Sequence, residues 1–161
     1  MALVGVVSTA LVVGFVAVSI VGLWEYANAD HLGILDIPDV VNRASQACAT
    51  MAQQVAAIPQ PLPGDVTGEV RTIRAQDQAL GRLVTSMKAL GQDRLSHDHP
   101  ALPWIADWQT LIQLRETYAD DLAAGHDPTL VIPTIDGFPI THRMSDPGID
   151  CPIPAQLTAM P

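Results

Sequence analysis

The sequence predicts a mainly α-helical protein. One N-terminal transmembrane helix precedes a small antiparallel three-helix bundle, and a proline-rich C-terminal tail, with room for a short β-hairpin, is tied back by a disulfide. Three observations carry this expectation. Residues 2–24, ALVGVVSTALVVGFVAVSIVGLW, contain no charge. Three later segments repeat apolar residues at helical spacing. Two cysteines, Cys48 and Cys151, lie far apart with no CxxC partner. The expected parts are an anchor at 1–24, a juxtamembrane linker at 25–38, a bundle at 39–125 and a wrapping tail at 126–161.

The apolar run comes first. A helix rises about 1.5 Å per residue, so the run spans about 34 Å against a hydrocarbon core of about 30 Å. It supplies much of the positive mean hydropathy of a 161-residue chain that is 48% hydrophobic and 16% charged. The competing reading is a cleaved signal peptide, because Ala27-Asn28-Ala29 before Asp30 has the small-x-small form of a cleavage site. Against cleavage, the run is about twice as long as a signal-peptide core and no basic segment precedes it. The positive-inside rule is nearly silent, since the first cation is Arg43. The acidic far flank of Glu25, Asp30, Asp36 and Asp39 favours an extracytoplasmic C-terminal domain anchored by a single pass of the cytoplasmic membrane. Ala10, Gly14 and Ala17 form a small-residue stripe suited to packing on another transmembrane helix. The expected partners are the lipid bilayer and other membrane proteins of the envelope. A net charge of −9 argues against nucleic acid and against anionic headgroups.

In the first bundle helix, starting at Asp39, Val41, Ala44, Cys48, Met51, Val55 and Ile58 form one apolar stripe, which points Cys48 inward. PQPLPG at 59–64 stops it, because closely spaced prolines cannot continue a helix. The second helix runs from an N-cap at Asp65 to Gly91, with Val66, Val70, Ile73, Asp77, Leu80, Val84, Met87 and Leu90 on one face. Gly68 and Gly81 weaken it. Residues 92–103, QDRLSHDHPALP, read as a loop. The third helix, PWIADWQTLIQLRETYADDLAAG at 103–125, aligns Trp104, Trp108, Leu111, Arg115, Tyr118 and Leu122 and closes at Gly125. In the tail, Leu130–Ile132 and Phe138–Thr141 flank an Asp136-Gly137 turn, an imperfect hairpin that Pro133 and Pro139 limit. In an exported region Cys48 and Cys151 read as a disulfide, closing a loop of about 100 residues worth about 4–5 kcal/mol in the chain-entropy model. Two buried free thiols are the alternative.

Asp77 and Arg115 each interrupt an apolar stripe, with opposite charge. In an antiparallel hairpin around the intervening loop, Asp77 lies 13 residues before Leu90 and Arg115 lies 12 after Pro103. Their levels then differ by only about 1–2 Å. A structural ion pair follows, with Gln76 and Gln46 as further acceptors. Two other readings stand beside it: both side chains snorkel to the bundle edge, or Asp77 is a buried catalytic base.

Candidate chemistry is sparse. His97-Asp98-His99 is the only ligand-rich cluster, and alternating histidines hold a metal ion when further ligands arrive. A helix of about 30 Å separates it from His126-Asp127, which leaves His142 or His31 to complete such a site. The bland alternative is a solvated turn in which Asp98 or His99 caps the next helix. Trp104 and Trp108 read as core anchors or as a partner-binding pair, and Asp120-Asp121 as an exposed acidic face. The sequence contains no GxSxG, HExxH, Walker A, GxGxxG or CxxCH motif. No catalytic residue and no cofactor are assigned, a metal ion at His97 and His99 excepted.

Trp104, Asp107, Trp108, Leu111, Arg115, Tyr118 and Ala119 form a W-x-x-D-W-x-x-L-x-x-x-R-x-x-Y-A pattern. Ile140, Thr141, Arg143 and Met144 form a later I-T-x-R-M element, and CPIP follows at 151–154. Over residues 100–154 this resembles a group of small actinobacterial envelope proteins. The resemblance implies an exported, membrane-anchored domain and brings no activity with it.

The expected function is a non-catalytic accessory or scaffold subunit of a cell-envelope membrane complex, acting through its span and its helical domain. The alternative is a small extracytoplasmic metal- or ligand-binding protein or enzyme using the His97/His99 loop. The antiparallel order places that loop at the membrane side of the bundle and Gly125 at the far end.

Overall fold

The computed structural model describes residues 33–135, 137–145 and 147–159. The apolar run 2–24, the stripe Ala10, Gly14 and Ala17, the cleavage-like Ala27-Asn28-Ala29, and His31 all lie outside the described residues. Among the described residues, no helix is long and apolar enough to cross a membrane. The chain divides into units Met1–Asp30 and His31–Pro161, and every described element belongs to the second.

Helix α1 spans Pro38–Ala56 and buries Val40, Ala44, Ala47, Cys48, Met51 and Val55. It starts one residue before the expected Asp39, because Pro38 occupies the first helical position, where a missing N–H costs nothing. The stripe is rotated slightly from the expected one. Val40 is buried and Val41 only partly so, and Ile58 lies beyond the helix end. Helix α2 spans Val66–Lys88. Its N-cap Asp65 accepts the Gly68 amide at 2.9 Å, so the expected weak glycine serves the first turn instead. A Cβ at Gly68 would collide with that capping carboxylate.

The segment read as a loop contains a short helix, α3, over Gln92–Ser96. One turn of helix leaves too little periodicity to detect. Helix α4 spans Ala101–Ala123, starting two residues before Pro103. Pro100 at the N-cap and Pro103 in the first turn both lack an N–H, which removes two donors that a helix start would otherwise leave unpaired. At its far end, Gly125 (φ +81°) donates to Leu122 and His126 donates to Asp121, each at 3.0 Å, the paired bonds of a left-handed helix stop.

Helix α2 is the middle element, packed along α1 on one side and α4 on the other. The tail then doubles back. Strands β1 (Thr134–Ile135) and β2 (Phe138–Pro139) pair antiparallel, Ile135 opposite Phe138. The expected first strand, Leu130–Ile132, is displaced toward the turn, and Thr141 falls in helix α5, Ile140–Ser145, rather than in a strand. Pro139 cannot donate to a ladder, so the hairpin stays two residues long and the chain turns helical at once. A 3₁₀ turn over Ala155–Leu157 ends the described tail.

The disulfide Cys48–Cys151 joins α1 to this tail across 103 residues, both cysteines buried. The main core unites α1, α2, α4 and tail residues Ile140, Met144 and Leu157. A smaller cluster of Val70, Ile73, Tyr118 and Ala119 lies toward the other end. Along α2 the residues between the two clusters are Gln76 and Asp77, and along α4 the residue is Arg115. A polar layer therefore divides the hydrophobic interior.

Candidate functional site

That layer is built around Arg115, whose side chain is fully buried. Its Nε donates to Asp77 Oδ1 at 2.5 Å, its Nη2 to Gln76 Oε1 at 2.5 Å, and its Nη1 to the Leu157 carbonyl at 2.7 Å. One guanidinium thus joins α4, α2 and the tail. Arginine suits this task because its rigid fork offers donors in several directions and stays charged when buried. Gln76 accepts as expected, whereas Gln46 is exposed on α1. It follows Ala44 and precedes Cys48 by two residues each, which turns it about 160–200° from that buried face. The third acceptor is a backbone carbonyl instead.

Asp77 Oδ2 is buried and finds no hydrogen-bond partner among the described residues. Burial accordingly raises the Asp77 carboxyl to about 6, although the Arg115 charge and hydrogen bond pull it down. The pair is held inside the bundle and away from solvent. The snorkelling reading fails because both side chains are at most 2% exposed.

A second polar contact locks the tail to α4. Asp107, buried on α4, receives two bonds from Arg143 of α5, Nε to Oδ2 at 2.7 Å and Nη2 to Oδ1 at 2.6 Å. One turn earlier, Trp104 Nε1 donates to the Met144 carbonyl at 2.9 Å. The W-x-x-D-W and I-T-x-R-M elements therefore meet in space, and most of their named residues serve folding. Trp104 and Trp108 stand edge-to-face with centroids 6.0 Å apart, 1% and 0% exposed. The tryptophans are core anchors, as the first of the two sequence readings has it, and the partner-binding alternative is corrected: apolar area of that size is sealed in the core, where truncation to Ala costs about 3–5 kcal/mol.

His97 and His99 are exposed on either side of Asp98, which is fully buried. The Asp98 carboxylate accepts the amide of Ile37, the N-cap of α1, at 3.2 Å. It braces the start of α1 from 61 residues away and does not cap α4, which carries no side-chain cap. His97 Nδ1 lies 2.5 Å from the Asp93 carbonyl within its own turn. Among the described residues, no group of three or more His, Cys, Asp or Glu side chains is placed to hold a metal ion. The Ile37–Asp98 bond and the Arg94–Asp39 pair at 2.9 Å put this loop at the same end as the start of α1.

The surface carries several open grooves. One of about 700 Å³ runs past Ile37, Leu90 and His97, and one of about 250 Å³ lies between α1 and α2. Two more, of about 470 and 480 Å³, flank the N-terminal half of α2. None of these four is lined by Asp77, Asp107, Arg115 or Tyr118. Tyr118 is held above its ordinary phenol value by burial and by the Glu69 carboxylate, which its hydroxyl meets at 3.5 Å.

Asp98, Asp107, Arg143 and the Leu157 carbonyl are the contacts that spacing did not reveal. Asp107 offered a faint signal, an acid between two core tryptophans. A backbone carbonyl offers none. No family model, curated protein or solved structure matches the chain.

Proposed function

We propose that this chain is a non-catalytic accessory or scaffold subunit of a cell-envelope membrane complex. Its apolar N-terminal run holds it in the cytoplasmic membrane, and its helical domain stands on the extracytoplasmic side. One observation carries the non-catalytic part: the buried ionisable groups Asp77, Arg115 and Asp107 are engaged with one another or with the tail, and none opens into the four grooves. Acid–base catalysis needs a positioned group within reach of a substrate, and the titratable residues that do line the grooves, His97, Asp93 and Asp65 among them, are exposed. The Cys48–Cys151 pairing supports an oxidising compartment, and the resemblance to small actinobacterial envelope proteins supports the same setting.

Affinity purification of the tagged full chain in mild detergent tests the subunit reading. The expected result is recovery with a stoichiometric membrane partner, and recovery as a lone monomer overturns it. Fractionation with thiol alkylation tests the setting. Membrane-bound material with both cysteines unreactive until reduction is expected, whereas cytosolic material with reactive thiols overturns the placement.

A further inference from the structure

Helices α1 and α4 each pack along α2 but hardly on each other. The end of the tail bridges them. Cys151 joins it to α1, and the Leu157 carbonyl accepts Arg115 Nη1 of α4 at 2.7 Å. Ile149 and Ile153 pack on the main core, and Cys151 and Leu157 are 1% and 0% exposed. The fixed end of this segment is Pro147, whose carbonyl accepts the Leu35 amide at 2.8 Å.

From Ile149 to Ala159 the segment makes no backbone pairing with the helices. Its backbone bonds, from Leu157 to Pro154 and from Thr158 and Ala159 to Ala155, are all internal. Pro152 and Pro154 have no amide hydrogen to offer. Among the described residues, its ties to the bundle are apolar contact, the bond from Arg115 and the disulfide. What it covers is unfavourable to seal. Arg115 and Asp77 form a desolvated ion pair, and Asp77 Oδ2 has no hydrogen-bond partner among the described residues. Lifting the segment lets water reach the Arg115 guanidinium, whereas burial of Ile149, Ile153 and Leu157 opposes lifting. The cross-link tips this balance toward closure, because it removes conformational freedom from the open state.

We propose that residues 149–159 are a redox-latched strap, standing open over folded helices while Cys48 and Cys151 are thiols and shutting over Arg115 when they join. Closure moves two electrons and two protons from the thiols to a disulfide-bearing oxidant, which leaves as a dithiol, and a dithiol reverses the step. Both sulfurs are buried in the closed form, so such a reductant meets them only when the strap lifts. The latch does not depend on the subunit reading above.

Hydrogen exchange read by mass spectrometry tests it on the full chain in detergent. Three forms are compared: oxidised, reduced with dithiothreitol, and Cys48→Ser/Cys151→Ser, which needs no reductant to reach the sulfurs. In the two forms without the bond, peptides covering 149–159 should exchange at least about tenfold faster, while α1, α2 and α4 keep their protection. Phenylglyoxal should also modify Arg115 at least about tenfold faster in those forms. Arg43, exposed on α1, should react alike in all three. Unchanged protection of the strap without the bond overturns the proposal, because apolar contact then suffices to hold it. Helices that lose protection together with the strap overturn it too, because the segment then belongs to the folding unit of the bundle. So does an Arg115 that stays unreactive while the strap exchanges, since the strap would then not be what covers it.

Discussion

Arg115 Nε and Asp77 Oδ1 lie 2.5 Å apart across two helices, with neither side chain more than 2% exposed. Removing one partner strands a buried charge, which costs about 3–5 kcal/mol. Arg115→Met also strips Gln76 and the Leu157 carbonyl of their donor, so it should be the worse single change. Replacing both ions with apolar residues relieves the stranded charge, and Arg115→Met/Asp77→Leu should lose clearly less than the two singles added together. Urea unfolding of the three variants measures this. Additive losses would mean that the pair is not coupled.

Asp77 also sets a pH dependence whose sign is opposite to that of most paired acids. Its folded value is raised from 3.8 to about 6. Between these values the folded state holds a proton that the unfolded state releases. The contribution therefore favours folding at acid pH and is lost as pH rises through about 4–6. Plotting the melting temperature of the parent minus that of Asp77→Asn against pH cancels the other carboxylates. The difference should fall from pH 4 to 6 and then level, and parallel profiles would show that burial does not govern this carboxyl.

Arg143 is 44% exposed, but its partner Asp107 is only 5% exposed. Arg143→Ala leaves a buried carboxylate without its two charged bonds and should cost about 1–3 kcal/mol. Lys at 143 should recover little, since an ammonium cannot reproduce the paired fork. The indole of Trp104 reports the same event, because its acceptor, the Met144 carbonyl, is next in the chain to Arg143. Red-shifted tryptophan emission in Arg143→Ala, absent in the exposed-site control Arg82→Ala, is the expected signature.

Gly148 is required for two separable reasons. Its φ is +79°, and a Cβ there would sit 2.7 Å from Ile34 Cβ, beside the bond from the Leu35 amide to the Pro147 carbonyl at 2.8 Å. Gly148→Ala should destabilise the fold by about 1–2 kcal/mol or more. Adding Ile34→Gly removes the opposing atoms and should restore the steric part only, leaving the backbone part. Full tolerance of Gly148→Ala in thermal melts would show that this turn does not anchor the N-terminal segment.

The bundle was readable in one dimension because its evidence is local. Apolar residues three and four apart share a helix face, so α1, α2 and α4 and the inward aim of Cys48 followed from spacing. The Asp77–Arg115 level match followed from counting along two helices of uniform rise. Turn residues were nearly as plain: Asp65 and Gly125 act through their own backbone neighbours.

Other contacts had no such trace. The Asp98 brace on Ile37, the clamp of Asp107 by Arg143 and the Leu157 carbonyl on Arg115 each join residues 36 to 61 positions apart. The first and third use a backbone amide or carbonyl, which carries no signature of identity, and the second pairs two side chains on elements whose relative placement no local spacing encodes. The hairpin position was likewise settled by where the tail closes, and the short α3 was too brief to leave a period, whereas both tryptophans already lay on the apolar stripe of their helix as core anchors. Local periodicity says which face turns inward; only chain closure in three dimensions says what that face meets.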